Sequence, residues 1–128
     1  MRFISRKAHA VLDYIMGILL IAAPWIFGFA AIEAARWSAI VVGALILVMS
    51  LITDYEGGAK KILSMNTHLT MDVLAGIFLA ISPWLLGFND QVYLPHLIVG
   101  ILEIGAGLFT ERTSQHSSMS GMGMGHAH

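Results

Sequence analysis

The chain has no cysteine among its 128 residues, and with cysteine go disulfides, thiolate metal sites and a thiol nucleophile. Charge is scarce as well: Asp, Glu, Lys and Arg make up 12% of the residues, where soluble domains carry about 25%. The formal net charge of −1 supplies no basic field, and the few Lys and Arg are clustered instead of spread along a face, which argues against nucleic acid as a partner. No nucleophile–base spacing and no complete metal motif occurs, so a membrane enzyme ranks lowest among the functional readings. What remains is apolar. Hydrophobic residues make up 57% of the chain and the mean hydropathy is +0.77, more than a soluble core of this length can use.

The apolar residues fall into four segments, Ala8–Ala30, Trp37–Thr53, His68–Phe88 and Tyr93–Thr110. Each is near the roughly 20 residues that cross about 30 Å of hydrocarbon, the second and fourth being the shortest. The expected fold is all-α: a polytopic protein of four transmembrane helices over residues 1–113, in contact with the lipid bilayer. Arg2, Arg6, Lys7, Lys60, Lys61 and Arg112 lie on one side of the spans and Arg36 on the other. The positive-inside rule then places both termini and the Asp54–Thr67 linker in the cytoplasm. Short connections at Ala31–Arg36 and Asn89–Val92 make each helix pair an antiparallel hairpin.

The most specific feature is an internal repeat. HAVLDYIMGILLIAAPWIFGF, starting at His9, aligns without a gap on HLTMDVLAGIFLAISPWLLGF, starting at His68, at an offset of 59. Identities include His9/His68, Asp13/Asp72, Gly17/Gly76, Pro24/Pro83, Trp25/Trp84, Gly28/Gly87 and Phe29/Phe88. The second helices align at an offset of 57, with Gly43 on Gly100 and Thr53 on Thr110. Repeat one spans about residues 8–53 and repeat two about residues 68–110. Two spans per copy make both copies enter the membrane in the same direction, related by a pseudo-two-fold along the membrane normal. The motifs APWIFGF and SPWLLGF, each near the end of the first helix of a unit, resemble those of the SPW-repeat family of small bacterial membrane proteins. That resemblance implies a multi-pass protein of the bacterial cytoplasmic membrane and brings no activity with it. Copy one departs from the motif, with Ala23 where copy two has Ser82.

Pro24 and Pro83 remove a backbone donor and free the carbonyls of Leu20 and Leu79, so a kink is expected near the outer end of each helix. Trp25 and Trp84 read as headgroup-level anchors, with Gly28-Phe29 and Gly87-Phe88 closing the helix; a ligand pocket lined by the tryptophans is the lesser reading. His9 and Asp13, and again His68 and Asp72, are four apart and share a helical face. The plain reading has each His bonding its own Asp, with Arg6, Lys7 or a linker Lys neutralising the carboxylate. The sharper one joins the two pairs about the pseudo-two-fold as a site for Zn, Fe or Mn. Glu103 lies mid-way along the last helix, where an ionised side chain costs about 2.5–3.5 kcal/mol. Its counterpart in copy one is Ile46, and it is expected to face the bundle or a subunit interface in protonated form. His96 is on the same helix, close to the same face. Small residues at Ala35, Ala39 and Gly43, and at Gly76 and Ala80, have the spacing that lets helices approach closely. Residues 114–128 form a Ser/Gly/Met/His-rich segment that reads as a disordered tail. Met119, Met122, Met124, His126 and His128 are weak candidate ligands for a soft ion.

Two functions compete ahead of the enzyme. A non-enzymatic module that packs against itself or another membrane protein accounts for every repeated feature, and its mark would be a dry interior. A small permease or a proton- or metal-handling protein would use His9, Asp13, His68, Asp72, His96 and Glu103 as polar stations, its mark a wet cavity reaching Glu103. No cofactor is specified by the sequence.

Overall fold

The computed structural model describes residues 4–53 and 64–110. Four helices carry nearly all of it: α1 (Arg6–Ile26), α2 (Glu33–Ile52), α3 (Met65–Leu85) and α4 (Leu94–Phe109). Among the described residues there is no extended strand; Ile4 and Thr110 form an isolated bridge, at which the Ile4 N–H donates to the Phe109 carbonyl at 2.9 Å. The first three helices are long and apolar enough to cross a membrane. The fourth is apolar but has 16 residues, a rise of about 24 Å.

α1 and α3 begin and end slightly earlier than the hydropathy suggests, for a local reason at both ends. Ser5 and Ser64, which are repeat equivalents, cap α1 and α3: their hydroxyls accept from the Ala8 N–H at 3.0 Å and the Thr67 N–H at 3.2 Å. Residues 65–67 therefore belong to α3 and not to the linker. At the other end the chain turns at Gly28 and Gly87, both at φ +76°, a conformation that a Cβ disfavours. The Phe29 N–H then reaches the Pro24 carbonyl, and the Phe88 N–H the Pro83 carbonyl, both at 2.8 Å, in a Schellman closure. Apolar sequence runs on through these caps, but helix does not.

Within each hairpin the helices pack glycine on glycine. A Cβ added at Gly43 would meet the Gly17 carbonyl at 2.8 Å, and one at Gly100 the Gly76 carbonyl at 2.6 Å. Removal of side chains brings α1 onto α2 and α3 onto α4, as small residues do in lipid. Between hairpins α2 packs well on α3, whereas α1 scarcely touches α4. Leu20, Ile46, Leu79, Phe29 and Phe88 are in the core, while Val11, Ile15, Ile18, Ile77, Ile98 and Ile101 form an exposed apolar exterior suited to lipid. The linker residues 54–63, with Lys60 and Lys61, lie outside the described residues. So do Arg2, Arg112 and the tail from 114, including Met119, Met122, Met124, His126 and His128.

Candidate functional site

The repeat places His9 and Asp13 one turn apart on α1, and His68 and Asp72 one turn apart on α3, near the N-termini of both helices. The C-terminal ends of α2 and α4 bring Thr53 and Thr110 to the same level. All six side chains are fully buried. His9 Nε2 lies 3.0 Å from Asp13 Oδ2 and 2.7 Å from Asp72 Oδ2. His68 Nε2 lies 2.6 Å from Asp13 Oδ2 and 3.1 Å from Asp72 Oδ2. The four atoms thus alternate, nitrogen and oxygen, around a closed ring. Each histidine lies against its own Asp, as the plain reading has it, but holds the carboxylate of the other repeat more closely, so the two pairs meet as the sharper reading has them. The cause is that the N-terminal turns of α1 and α3 meet here, so each imidazole faces both carboxylates.

Thr53 and Thr110 require a hydrogen on Nδ1 of each histidine. The Thr53 hydroxyl donates to the Met49 carbonyl and that of Thr110 to the Ala106 carbonyl. A carbonyl can only accept, and a hydroxyl has one hydrogen. The threonine oxygens therefore accept from histidine: His68 Nδ1–H donates to Thr53 at 2.6 Å and His9 Nδ1–H to Thr110 at 2.8 Å. Both Nε2 atoms are left facing the carboxylates. Here α4 supports α1, and α2 supports α3, so the centre draws on all four helices. Sequence reasoning aligned Thr53 with Thr110 but gave neither a role; that alignment, at the position closing each repeat, was the available signal.

Glu103 is also buried, 1% exposed, and stands within electrostatic reach of Asp13, Asp72 and His9. Glu103 Oε1, Asp13 Oδ1 and Asp72 Oδ1 find no hydrogen-bond partner among the described residues. His96 does not join this centre. Its Nε2–H donates to the Ala35 carbonyl at 2.9 Å, and its ring lies between Phe29 and Phe88, with centroids 5.2 and 4.8 Å away. A cavity of about 610 Å³ opens between α1 and α4, lined by Met16, Leu20, Ala23, Val92, Ile98 and Val99 among others. None of the six polar residues lines it. Trp25 and Trp84 do not line it either: they are 62% and 51% exposed, and Trp84 stacks obliquely on Tyr93. That geometry suits anchoring at the bilayer surface and not a tryptophan-lined pocket.

The name-giving serine acts on the proline beside it. Pro83 cannot donate to the Leu79 carbonyl, and the Ser82 hydroxyl does so instead at 2.7 Å. α1 and α3 continue for two residues beyond their prolines before capping. The SPW repeat domain model matches residues 7–110, which contain all four helices, both motifs and the ring. The chain belongs to the SPW repeat family. It is accordingly a small membrane protein, and the matched residues take in both helical hairpins. No curated protein and no solved structure matches it.

Proposed function

We propose that this SPW repeat protein is a non-enzymatic structural or partner-binding module of the bacterial cytoplasmic membrane, with both termini cytoplasmic, whose two hairpins are latched by the His–Asp–Thr centre. The reading rests on one observation: His9 bonds Asp72 at 2.7 Å and His68 bonds Asp13 at 2.6 Å, each across the repeat boundary and fully buried. The outer halves of α1 and α4 stand apart around an apolar cavity, so the connection between hairpins on that side falls to the polar end. The orientation follows from the six-to-one distribution of Lys and Arg. A latched module would form a homo-oligomer or carry another membrane protein on its apolar exterior.

Thermal unfolding of detergent-purified protein, in the presence of a chelator, tests the latch. Removing one partner of a buried ion pair costs about 3–5 kcal/mol, because the other is left uncompensated. His9→Ala and Asp72→Ala should each lower the midpoint strongly, and the double variant should lose far less than the two losses combined. Single variants with the midpoint of the natural protein would overturn the latch. A second reading, ion handling, draws support from the buried carboxylate oxygens that lack donors beside the ring.

A further inference from the structure

The ring that latches the hairpins is built like the ligand set of a metal. His9, Asp13, His68 and Asp72 each offer one ligand atom, and these atoms all lie within 4.8 Å of one another. The ring edges run from 2.6 to 3.1 Å. The centre of a flat ring with such edges is about 2 Å from each atom, the bond length of a divalent first-row ion to imidazole nitrogen or carboxylate oxygen. Tetrahedral ligands on such bonds stand roughly 3.3 Å apart, so the ring opens by a few tenths of an ångström to admit an ion.

Two features outside the ring point the same way. The first is the pair of threonines. A metal-bound histidine normally donates its second N–H to an oxygen, which fixes the tautomer and turns the lone pair inward. Thr110 and Thr53 do this for His9 and His68, leaving both Nε2 atoms directed at the centre. The second is the set of carboxylate oxygens without donors: Asp13 Oδ1, Asp72 Oδ1 and Glu103 Oε1, all on side chains buried to 99% or more. A buried acceptor without a donor is unfavourable, and a cation satisfies several at once. Charge fits too. An ion takes the place of the Nε2 hydrogens that bridge the ring without it and releases them as protons; the two imidazoles are then neutral, and with the two aspartate carboxylates they carry −2, which a divalent ion neutralises within a low-dielectric interior.

We propose that His9, Asp13, His68 and Asp72 bind one divalent first-row transition ion of the zinc, iron and manganese class, with Thr53 and Thr110 orienting the histidines and Glu103 a neighbouring oxygen. Neutral imidazole and carboxylate suit these metals, and the absence of cysteine removes the thiolates that would favour softer ones. The inference takes its residues from the latch reading, and the two fail differently.

The full chain, stripped with chelator in detergent, is titrated with Co²⁺ and separately with Zn²⁺. Expected are one Co²⁺ per chain with the visible bands of a four-coordinate ion, and a rise in unfolding midpoint on adding Zn²⁺. Asp13→Asn and Asp72→Asn keep the shape and much of the hydrogen bonding; each should abolish the bands while the protein remains helical. Thr110→Val, which leaves every ligand in place, should weaken Co²⁺ binding by about 10- to 100-fold. The proposal is overturned by a natural chain that binds no Co²⁺ stoichiometrically. It is overturned equally by bands that survive both Asn variants, which would place the ion elsewhere, as on the tail histidines. If the natural chain binds no ion yet His9→Ala lowers the midpoint under chelator, the metal fails and the latch stands.

Discussion

Ser82 offers the cleanest test of what the serine of the SPW motif does. Its side chain is fully buried, as is Leu79, whose carbonyl it bonds at 2.7 Å. Ser82→Ala leaves that carbonyl without the hydroxyl, and Pro83 supplies no N–H in its place. A typical intramolecular hydrogen bond contributes about 0.5–1.5 kcal/mol, and bonds measured between transmembrane helices average roughly 0.6 with a maximum near 1.7. A loss of about 1 kcal/mol is therefore expected for Ser82→Ala in reversible unfolding from mixed micelles. The cause is isolated by a double-mutant cycle. Pro83→Ala restores a backbone N–H four residues after Leu79, which makes the hydroxyl redundant. In that background Ser82→Ala should cost almost nothing, giving a coupling of about 1 kcal/mol. Copy one provides the converse: Ala23 borders the cavity beside Leu20, so Ala23→Ser has room for a hydroxyl and should stabilise. Equal losses for Ser82→Ala with and without Pro83 would refute the account.

The glycine contacts predict a sharp difference between neighbouring positions on α4. A Cβ at Gly100 would meet the Ala80 nitrogen and the Gly76 carbonyl, both at 2.6 Å, so Gly100→Ala must push α3 and α4 apart and should cost about 1–3 kcal/mol. At Gly105 a Cβ meets nothing within 4 Å, and Gly105→Ala should be neutral or stabilising in the same unfolding assay.

Hydropathy and the repeat made the four helices legible, since lipid admits only backbones that satisfy themselves and a 59-residue offset reports the second copy directly. The helix ends were less so, because the Schellman closures at Gly28 and Gly87 consist of the same apolar residues as the helix they terminate. The His/Asp pairs were visible as a constellation from their spacing. Their joining about the pseudo-two-fold was the sharper of the two readings the repeat offered; which carboxylate each histidine holds more closely was not legible, because it depends on how α1 meets α3 and spacing along one helix is silent about that. Thr53 and Thr110 were hidden for a related reason: they stand at the far ends of α2 and α4 and reach histidines 15 and 101 residues away in sequence. Trp25 and Trp84 show the opposite case, in which local sequence decides, since the Pro-Trp position near a helix end suffices to put the indoles outside.

The places where the repeats differ follow from where the pseudo-two-fold passes. Phe29 and Phe88 are equivalents, and both lie against the one His96 ring, which therefore sits close to the axis near the Phe caps of α1 and α3. A second histidine at the equivalent position, Ala39, would compete for the same space, and Ala39 is buried. The ring is built symmetrically from His9, Asp13, His68 and Asp72, and Glu103 stands beside it with Ile46 as its equivalent, both buried. One additional carboxyl is accommodated there; a second from Ile46→Glu would put four buried acids against two histidines, with no further donor to offset them. Ile46→Glu should therefore prevent accumulation of folded protein in the membrane. Glu103→Ile makes the two copies alike and removes a buried polar group, so it should fold and retain the unfolding midpoint to within about 1.5 kcal/mol, the tolerance of a well-sized apolar substitution. Glu103→Gln, which keeps shape, separates a packing role from a charged one. A folded Ile46→Glu variant, or a Glu103→Ile variant that fails to assemble while Glu103→Gln succeeds, would show that Glu103 holds the bundle together and that symmetry has nothing to do with its single occurrence.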